Sequence, residues 1–422
     1  MKNNLRLNIS FILLIFFISN ILSQNVFTDK IFTENIKTVQ LYPENNPLGE
    51  AIIFLNEQQP LILEFDEIDS DYREFAYTLI HCNTEWQESD LSPNEYLDGY
   101  TEAYIQDYQF SQNTKVPFVH YNLTIPNYDI QIQYSGNYIL KVYPEGEAEN
   151  PIITKKLYVV NPLCTVGGNI VASSNPKTRN TSQEISFKVN ISALNSRFPS
   201  REITTQIQQN GRYDNQINNL EPLSIRDGIM DFNLQKGNIF PGLNTFRFFD
   251  FSSLSYNSEY VYSTDKTGNI DEVELLISKK RVNTPYKNEP TQFGKFFIES
   301  KDYSNADSEA EYALVTFLLS SENPYTDRDV YILGGFDLWR LSNKLSYDYN
   351  SKVYHTKILL KQGYYSYQYA LKKKGENKAN VEEIEGSFYQ TPNSYFVRVY
   401  YRAPGTTYDQ LVGWQEIKNY ND

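Results

Sequence analysis

Apolar residues recur in short runs along most of the chain, and polar turns separate these runs. In the first third, turn formers such as Pro60 and Gly136 divide apolar runs at residues 52–55, 61–65, 75–82, 119–125, 130–134 and 138–143. Runs of this length, several with alternating polarity, are typical of β-strands. The pattern predicts an antiparallel β structure in this part of the chain.

The same pattern continues to the end of the chain in two further regions. Their apolar runs lie at residues 184–189, 203–208, 228–234 and 245–251, and then at 312–319, 330–333, 353–360, 364–371 and 395–401. Turn-forming residues cluster at 160–176 and 281–290 and mark boundaries. We therefore expect an all-β chain with three consecutive antiparallel β-sandwich domains of immunoglobulin-like type, at residues 24–160, 161–285 and 286–422.

The first residues have the layout of a cleaved signal peptide. Lys2 and Arg6 precede an apolar stretch at 9–22, and Ser23 follows it. We predict a signal peptide at residues 1–23, with cleavage near Ser23 or Gln24. A membrane anchor is the weaker alternative, because spanning a bilayer takes roughly 18 to 20 apolar residues. A lipoprotein would need a cysteine directly after the apolar stretch, but the first cysteine is Cys82, far downstream. We therefore expect a soluble exported chain.

Composition and charge narrow the function classes. The chain holds 35 Tyr and 25 Phe against 2 Met and 3 Trp, and aromatic side chains favour strands. Its formal net charge is −14. Because such a field repels phosphate backbones, we expect no nucleic-acid partner.

Metal and redox chemistry have few candidate residues in the sequence. His81, His120 and His355 show no ligand spacing with one another or with the two cysteines, so we predict no metal and no cofactor. Cys82 and Cys164 leave two alternatives open. They form one disulfide in an oxidising compartment, or they are two buried thiols.

Catalytic motifs are equally scarce. The sequence shows no glycine-rich phosphate loop and no Gly-x-Ser-x-Gly elbow. Glu383 and Glu385 could be nominated as a glycosidase pair, but a solvated strand face is the favoured interpretation, since spacing does not fix their separation in space. The acidic segment Asp69, Ser70, Asp71 lacks the glycine and the distal glutamate of a calcium loop. We predict no catalytic residues and no enzyme activity.

Two segments are candidates for binding. The strand and turn at residues 330–339, with Gly334, Gly335, Phe336 and Trp339, resemble the start of starch-binding and glycogen-binding sandwich modules, in which aromatic faces stack on sugars. The favoured alternative is that Trp339 packs against its own sheet, and Trp86 and Trp414 leave the same choice. The long polar loop at residues 84–98 is a candidate for partner contact.

Several segments, taken in order, resemble the type IX secretion system plug protein family of Bacteroidota. They are residues 77–83 with Trp86, 95–99 and 135–138, then 209–215, 240–244 and 246–250, then 335–336 with Trp339, 385–388, 391–393 and 399–402. They cover most of the chain after the signal peptide. One departure is Tyr213, where the family pattern has Trp.

The resemblance implies a periplasmic protein without catalytic residues. Its partner would be the giant outer-membrane translocon barrel of SprA type, whose periplasmic end it would seal while no cargo shuttle is engaged. The residues of the partner interface are not indicated by the sequence. Two other hypotheses stay open: a secreted carbohydrate-binding β-sandwich protein, and a cargo of the same secretion system, which would carry an additional C-terminal sorting domain.

Overall fold

The computed structural model describes residues 26–57, 59–68, 71–233, 236–376 and 378–419. The predicted signal peptide with its cleavage point, Asp69 and Ser70 of the acidic segment, and residues 420–422 lie outside the described residues. The protein is 46% strand and 6% helix, and its sheets are mainly antiparallel, which confirms the all-β sandwich prediction. Within the described part of the chain, the helices are all too short or too polar to cross a membrane.

The first unit comprises strands β1 to β12. These are β1 (Lys30–Ile31), β2 (Ile36–Pro43), β3 (Ile52–Phe54), β4 (Leu61–Ile68), β5 (Phe75–Cys82), β6 (Leu97–Gly99), β7 (Ala103–Tyr104), β8 (Asp107–Phe110), β9 (Phe118–Ile125), β10 (Ile130–Ile132), β11 (Gly136–Pro144) and β12 (Ile153–Val160). The sheet β2-β4-β9-β8 faces the sheet β1-β12-β11-β5-β7, and β6 pairs with β10. Apolar residues of both larger sheets form one core between them.

The middle unit begins with strands β13 to β19. These are β13 (Thr165–Ala172), β14 (Ser182–Asn190), β15 (Ile203–Gln209), β16 (Ile217–Asn218), β17 (Ser224–Arg226), β18 (Ile229–Asp231) and β19 (Ile239–Pro241). The first sheet has the order β13-β14-β18-β17, with β19 also paired to β14. Its second sheet is completed by strands from the other end of the chain.

The third unit comprises strands β20 to β29. These are β20 (Arg247–Asp250), β21 (Val261–Asp265), β22 (Asp271–Leu275), β23 (Phe296–Ile298), β24 (Tyr312–Ser320), β25 (Arg328–Leu333), β26 (Ser346–Asp348), β27 (Val353–Lys361), β28 (Gly363–Lys373) and β29 (Ala379–Asn380). Along β24, buried Val315, Phe317 and Leu319 alternate with half-buried residues. This period of two turns one face of the sheet β21-β22-β24-β27-β26 to the core.

The last two strands return to the middle unit. β30 (Ser394–Tyr401) pairs with β15 over its whole length, and β31 (Gln410–Lys418) pairs with β30. The middle core therefore includes Tyr395, Val397 and Val399. This differs from the predicted ranges 161–285 and 286–422, because turn residues mark where the chain bends but do not determine which distant strands pair.

Among the residues that the structure describes, four short α-helices connect the strands. They are α1 (Pro93–Tyr96), α2 (Pro199–Glu202), α3 (Ala306–Glu309) and α4 (Glu382–Glu385). Two small apolar clusters join the units. One contains Phe118 of the first unit and Tyr312 of the third, and the other joins Trp86 and Tyr158 of the first unit to Tyr400 of β30. The first unit thus contacts both of the others.

A fragment of residues 24–285 should fail to form the middle unit, because it lacks β30 and β31. We expect the amides of β15 to exchange with solvent rapidly in this fragment and slowly in the full chain, measured by hydrogen exchange. The control is a fragment of residues 24–160, whose core is complete, and which should keep protected amides in β4 and β11. Slow exchange of β15 in the longer fragment would contradict the pairing described here.

Candidate partner interface

A buried carboxylate joins the first and third units. Asp66 of β4 accepts hydrogen bonds from His120 Nδ1 at 2.7 Å, from the Tyr312 hydroxyl at 2.7 Å and from Lys361 Nζ at 2.8 Å. Asp66 lies opposite His120 in one sheet, and Tyr312 lies opposite Lys361 in another. Burial opposes ionisation of Asp66, but the charge of Lys361 and the bond from His120 outweigh it and lower its pKa.

Cations that lie over aromatic rings join the first and middle units. Lys156 Nζ lies 4.2 Å from the ring centroid of Trp86 and 4.3 Å from that of Tyr213. The guanidinium of Arg398, on β30, lies 4.0 Å from the ring centroid of Tyr158. Burial lowers the pKa of Lys156 to about 8. The ring of Tyr213 offers its π face to this ammonium.

The loop at residues 84–98 is partly committed to these internal contacts. Trp86 is buried, the Thr84 amide donates to Asp409 Oδ2 at 3.0 Å, and the Thr84 carbonyl accepts from Gln206 Nε2 at 3.0 Å. The start of α1 is exposed and has a capping box between Ser92 and Glu95. The prediction that this loop contacts a partner therefore stays a prediction, now confined to its exposed second half.

Exposed aromatic side chains lie along one edge of the first unit. All four residues of β8, the edge strand of its sheet, are exposed. Tyr108 of β8 stacks on Tyr72 with ring centroids 4.1 Å apart and meets Phe110 edge-on at 5.8 Å. Tyr104 of β7 is also exposed. We call Tyr72, Tyr104, Tyr108 and Phe110 the aromatic surface.

Carboxylates border the aromatic surface. Desolvation and the charges of Glu74 and Glu145 raise the pKa of Tyr72, and the same two carboxylates act on Tyr104. Tyrosine and phenylalanine are enriched at protein interfaces, and clustered exposed aromatic rings mark binding surfaces. The sequence did not single out this surface, because its residues also match an ordinary strand pattern.

The two carboxylates nominated from the sequence are not a catalytic pair. Glu385 is fully buried and accepts from Arg247 Nε at 3.0 Å, from Arg281 at 2.8 Å and from the Tyr369 amide at 2.9 Å. Glu383 is exposed and pairs with Arg328. The solvated strand face favoured from the sequence is wrong for Glu385, which lies in α4 and pairs with two arginines inside the third unit.

The turn at Gly334 to Trp339 packs inside the protein. Trp339 is half-buried, with its ring edge-on to Phe246 at 5.9 Å and the guanidinium of Arg212 5.8 Å from its centroid. Gly335 and Trp339 line a cleft of about 110 Å³, and Phe336 and Asp337 line a larger cavity of about 930 Å³. Packing of Trp339, the alternative favoured from the sequence, is what the structure shows.

Most of the remaining sequence candidates are buried or partly buried. Trp414 packs edge-on to Phe54 at 6.1 Å. Cys82 and Cys164 are free, buried thiols, and burial raises the pKa of Cys82 to about 12 and that of Cys164 to about 11. His81 is buried, and its Nδ1 lies 2.9 Å from Ser89 Oγ, whereas His355 is exposed.

Replacing Glu385 by Gln should destabilise the third unit, because Arg247 and Arg281 would lose their anionic partner inside the protein. Breaking a buried ion pair from one side costs about 3–5 kcal/mol. The measurement is hydrogen exchange of the β28 amides under increasing urea. Glu383→Gln is the matched control in the same helix and should change the free energy of unfolding by less than about 1 kcal/mol. Equal effects of the two substitutions would refute this assignment.

Stability should fall with acidification in a way that depends on His81. Burial lowers the pKa of His81 from 6.5 to about 4, so between these pH values the unfolded chain binds a proton that the folded chain does not. The His81 contribution to unfolding free energy is therefore complete above pH 6.5 and decreases by up to about 3 kcal/mol as the pH falls towards 4. The free energy of unfolding, measured with urea at several pH values, should depend less steeply on pH in His81→Gln than in the control His355→Gln. Identical slopes would disprove the role of His81.

Comparisons with known proteins agree with the resemblance seen in the sequence. Residues 36–161 match the model of the type 9 secretion system plug protein 1st domain. A crystal structure of a hypothetical protein from Parabacteroides merdae ATCC 43184 is 32% identical, with a TM-score of 0.89 over 93% of this chain and 99% of that chain. No curated protein matches the chain.

A weaker structural match is dimeric latent PorU from Porphyromonas gingivalis, at 13% identity over 91% of this chain and 34% of that chain. Its TM-score of 0.15 is too low to bear on the fold. The family match covers β2 to β12, and therefore includes the aromatic surface and Asp66. The chain belongs to the type IX secretion system plug protein family.

Proposed function

We propose that this protein is the periplasmic plug of the type IX secretion system. In this proposal it binds the periplasmic end of the giant outer-membrane translocon barrel and seals it while no cargo shuttle is engaged. The observation that carries the proposal is the family match over residues 36–161, which associates the chain with this secretion machinery. A leader at residues 1–23 would bring the chain to the periplasm.

A plug must keep its shape under thermal motion, because a pore wide enough for folded cargo leaks around a body that deforms. The two junctions on the first unit support this requirement. One is the hydrogen-bond network of Asp66 with the third unit. The other is the set of cation–π contacts that Lys156 makes with Trp86 and with Tyr213 of the middle unit. Both place charges in buried positions where moving the units apart would leave them unpaired.

We further propose that the aromatic surface contacts the barrel. Its rings offer apolar area at low cost in side-chain entropy, and its border of carboxylates favours a partner with basic residues at the periphery. The edge strand β8 also allows pairing with a strand of the partner. The protein's net charge of −14 adds a long-range field that would favour such a basic rim.

The proposed role needs no catalytic residue, and the family supports a structural role. The carbohydrate-binding alternative rested on Trp339, whose ring is occupied by neighbours within the chain. The three-domain division enters the proposal in modified form, with β30 and β31 assigned to the middle unit.

The proposal is tested by affinity purification of the tagged full chain from detergent-solubilised envelopes of the native cell. Parallel preparations are made with and without the cargo-shuttling subunit, and partners are identified by mass. We expect a giant outer-membrane barrel that is enriched when the shuttle is absent. Preparations without any barrel would overturn the proposed function and would favour the carbohydrate-binding alternative.

The contact surface is tested with Tyr108→Ser combined with Phe110→Ser. Truncation of a hot-spot ring costs about 2 kcal/mol or more, so recovery of the barrel should fall about tenfold or more if these rings are central to the interface. The matched control is Tyr256→Ser combined with Tyr262→Ser, two exposed aromatics of the third unit. Undiminished recovery with the first pair would place the interface elsewhere while leaving the plug proposal standing.

A further inference from the structure

Three ligand-type side chains converge where the first and third units meet. One ring nitrogen of His120 and one carboxylate oxygen each of Glu64 and Asp307 all lie within 4.8 Å of one another. Glu64 is on β4, His120 is on the neighbouring strand β9, and Asp307 is on α3 of the third unit. These three residues are so far apart in the sequence that no spacing motif predicts that they meet.

The free nitrogen of His120 points to a missing ligand. His120 is 4% exposed, and its Nδ1 lies 2.7 Å from Asp66 Oδ1. Because an ionised carboxylate can only accept, Nδ1 carries a proton, and in the neutral imidazole the lone pair is then on Nε2. This Nε2 is buried and has no hydrogen-bond partner among the residues that the structure describes. A buried polar atom without a partner is costly, so such an atom calls for an explanation.

The orientation of His120 is the one used at metal centres. Metal-binding histidines donate their second ring N–H to a carboxylate, which fixes the tautomer and makes the other nitrogen a better ligand. Asp66 supplies that carboxylate. Glu64 is held in turn by a hydrogen bond with the hydroxyl of Tyr42. The ligand set therefore has supporting contacts of its own.

The local charge also favours a divalent cation. In ionised form the carboxylates of Glu64, Asp66 and Asp307 carry three negative charges, and the ammonium of Lys361 offsets one of them. Lys361 is already committed, because it donates to Asp66 Oδ2 and to the Asp307 carbonyl, each at 2.8 Å. Two negative charges remain, which one divalent ion would balance.

We propose that Glu64, His120 and Asp307 bind one divalent transition-metal ion of the Zn²⁺ class, which ties the first unit to the third. One imidazole and two carboxylates suit Zn²⁺, whereas Ca²⁺ and Mg²⁺ prefer oxygen ligands alone. Ligand atoms around tetrahedral zinc lie roughly 3.3 Å apart. Rotation of the half-exposed Asp307 side chain would close the remaining gap, and water would complete the coordination.

The test uses the full chain without its leader, stripped with a chelator and dialysed, and Zn²⁺ as the probe. Calorimetric titration should show one bound ion per chain, and the midpoint of thermal unfolding should rise as Zn²⁺ is added. His120→Ala and Asp307→Asn should each weaken binding by about tenfold or more. His355→Ala is the control, because His355 is exposed and outside the cluster, and it should bind like the parent.

If His120→Ala disturbs folding, the Zn²⁺ titration of Asp307→Asn still tests the proposal. Asp307 is only half-buried, and its backbone carbonyl, which holds Lys361, remains in the variant. Absence of saturable Zn²⁺ binding to the parent protein would overturn the proposal. So would Zn²⁺ binding that Asp307→Asn leaves unchanged, or binding that His355→Ala abolishes.

Discussion

The ionised carboxylate of Asp66 is the constraint on which the joint between the first and third units depends. A charge buried this deeply is stable only while its donors are in place, and here they come from β9, β24 and β27. Removing one partner from such a network costs several kcal/mol, so the two units cannot slide without a large penalty. Apolar contact alone, as between Phe118 and Tyr312, would tolerate many orientations. The polar network selects one.

The return of β30 to the middle unit has a similar consequence for the chain as a whole. The third unit is inserted between the two halves of the middle one, since β20 to β29 lie in sequence between β19 and β30. β30 also carries Arg398 and Tyr400, and Tyr400 donates to Asn137 of the first unit at 2.8 Å. One strand thus completes a core and contributes to a junction. This coupling opposes independent motion of the three units, as the proposed plug function requires.

The sequence predicted the local features of this protein and missed those that arise at long range. Alternating strands, turns and the order of family segments depend on neighbouring residues, so the β class and the family were accessible. The pairing of Ile203 with Tyr401, and the meeting of Glu64 with Asp307, depend on chain closure over long distances. The burial of Glu385 could not be predicted for the same reason. It depends on Arg247 and Arg281, which are distant in the sequence and pair with it only in the folded chain.

In the proposed function the protein must also leave the barrel, and this requirement limits the kind of interface that it can use. A large apolar face would bind too tightly to be displaced, since a competing shuttle can shift the equilibrium only by its own difference in affinity. The aromatic surface is small, since it consists of four rings, and Tyr72, Tyr104 and Tyr108 are each only 38% exposed. The carboxylates at its border would attract a basic partner from a distance and so raise the association rate, while adding little to the affinity. Such a surface favours fast docking and ready release, which is what alternation with a shuttle requires.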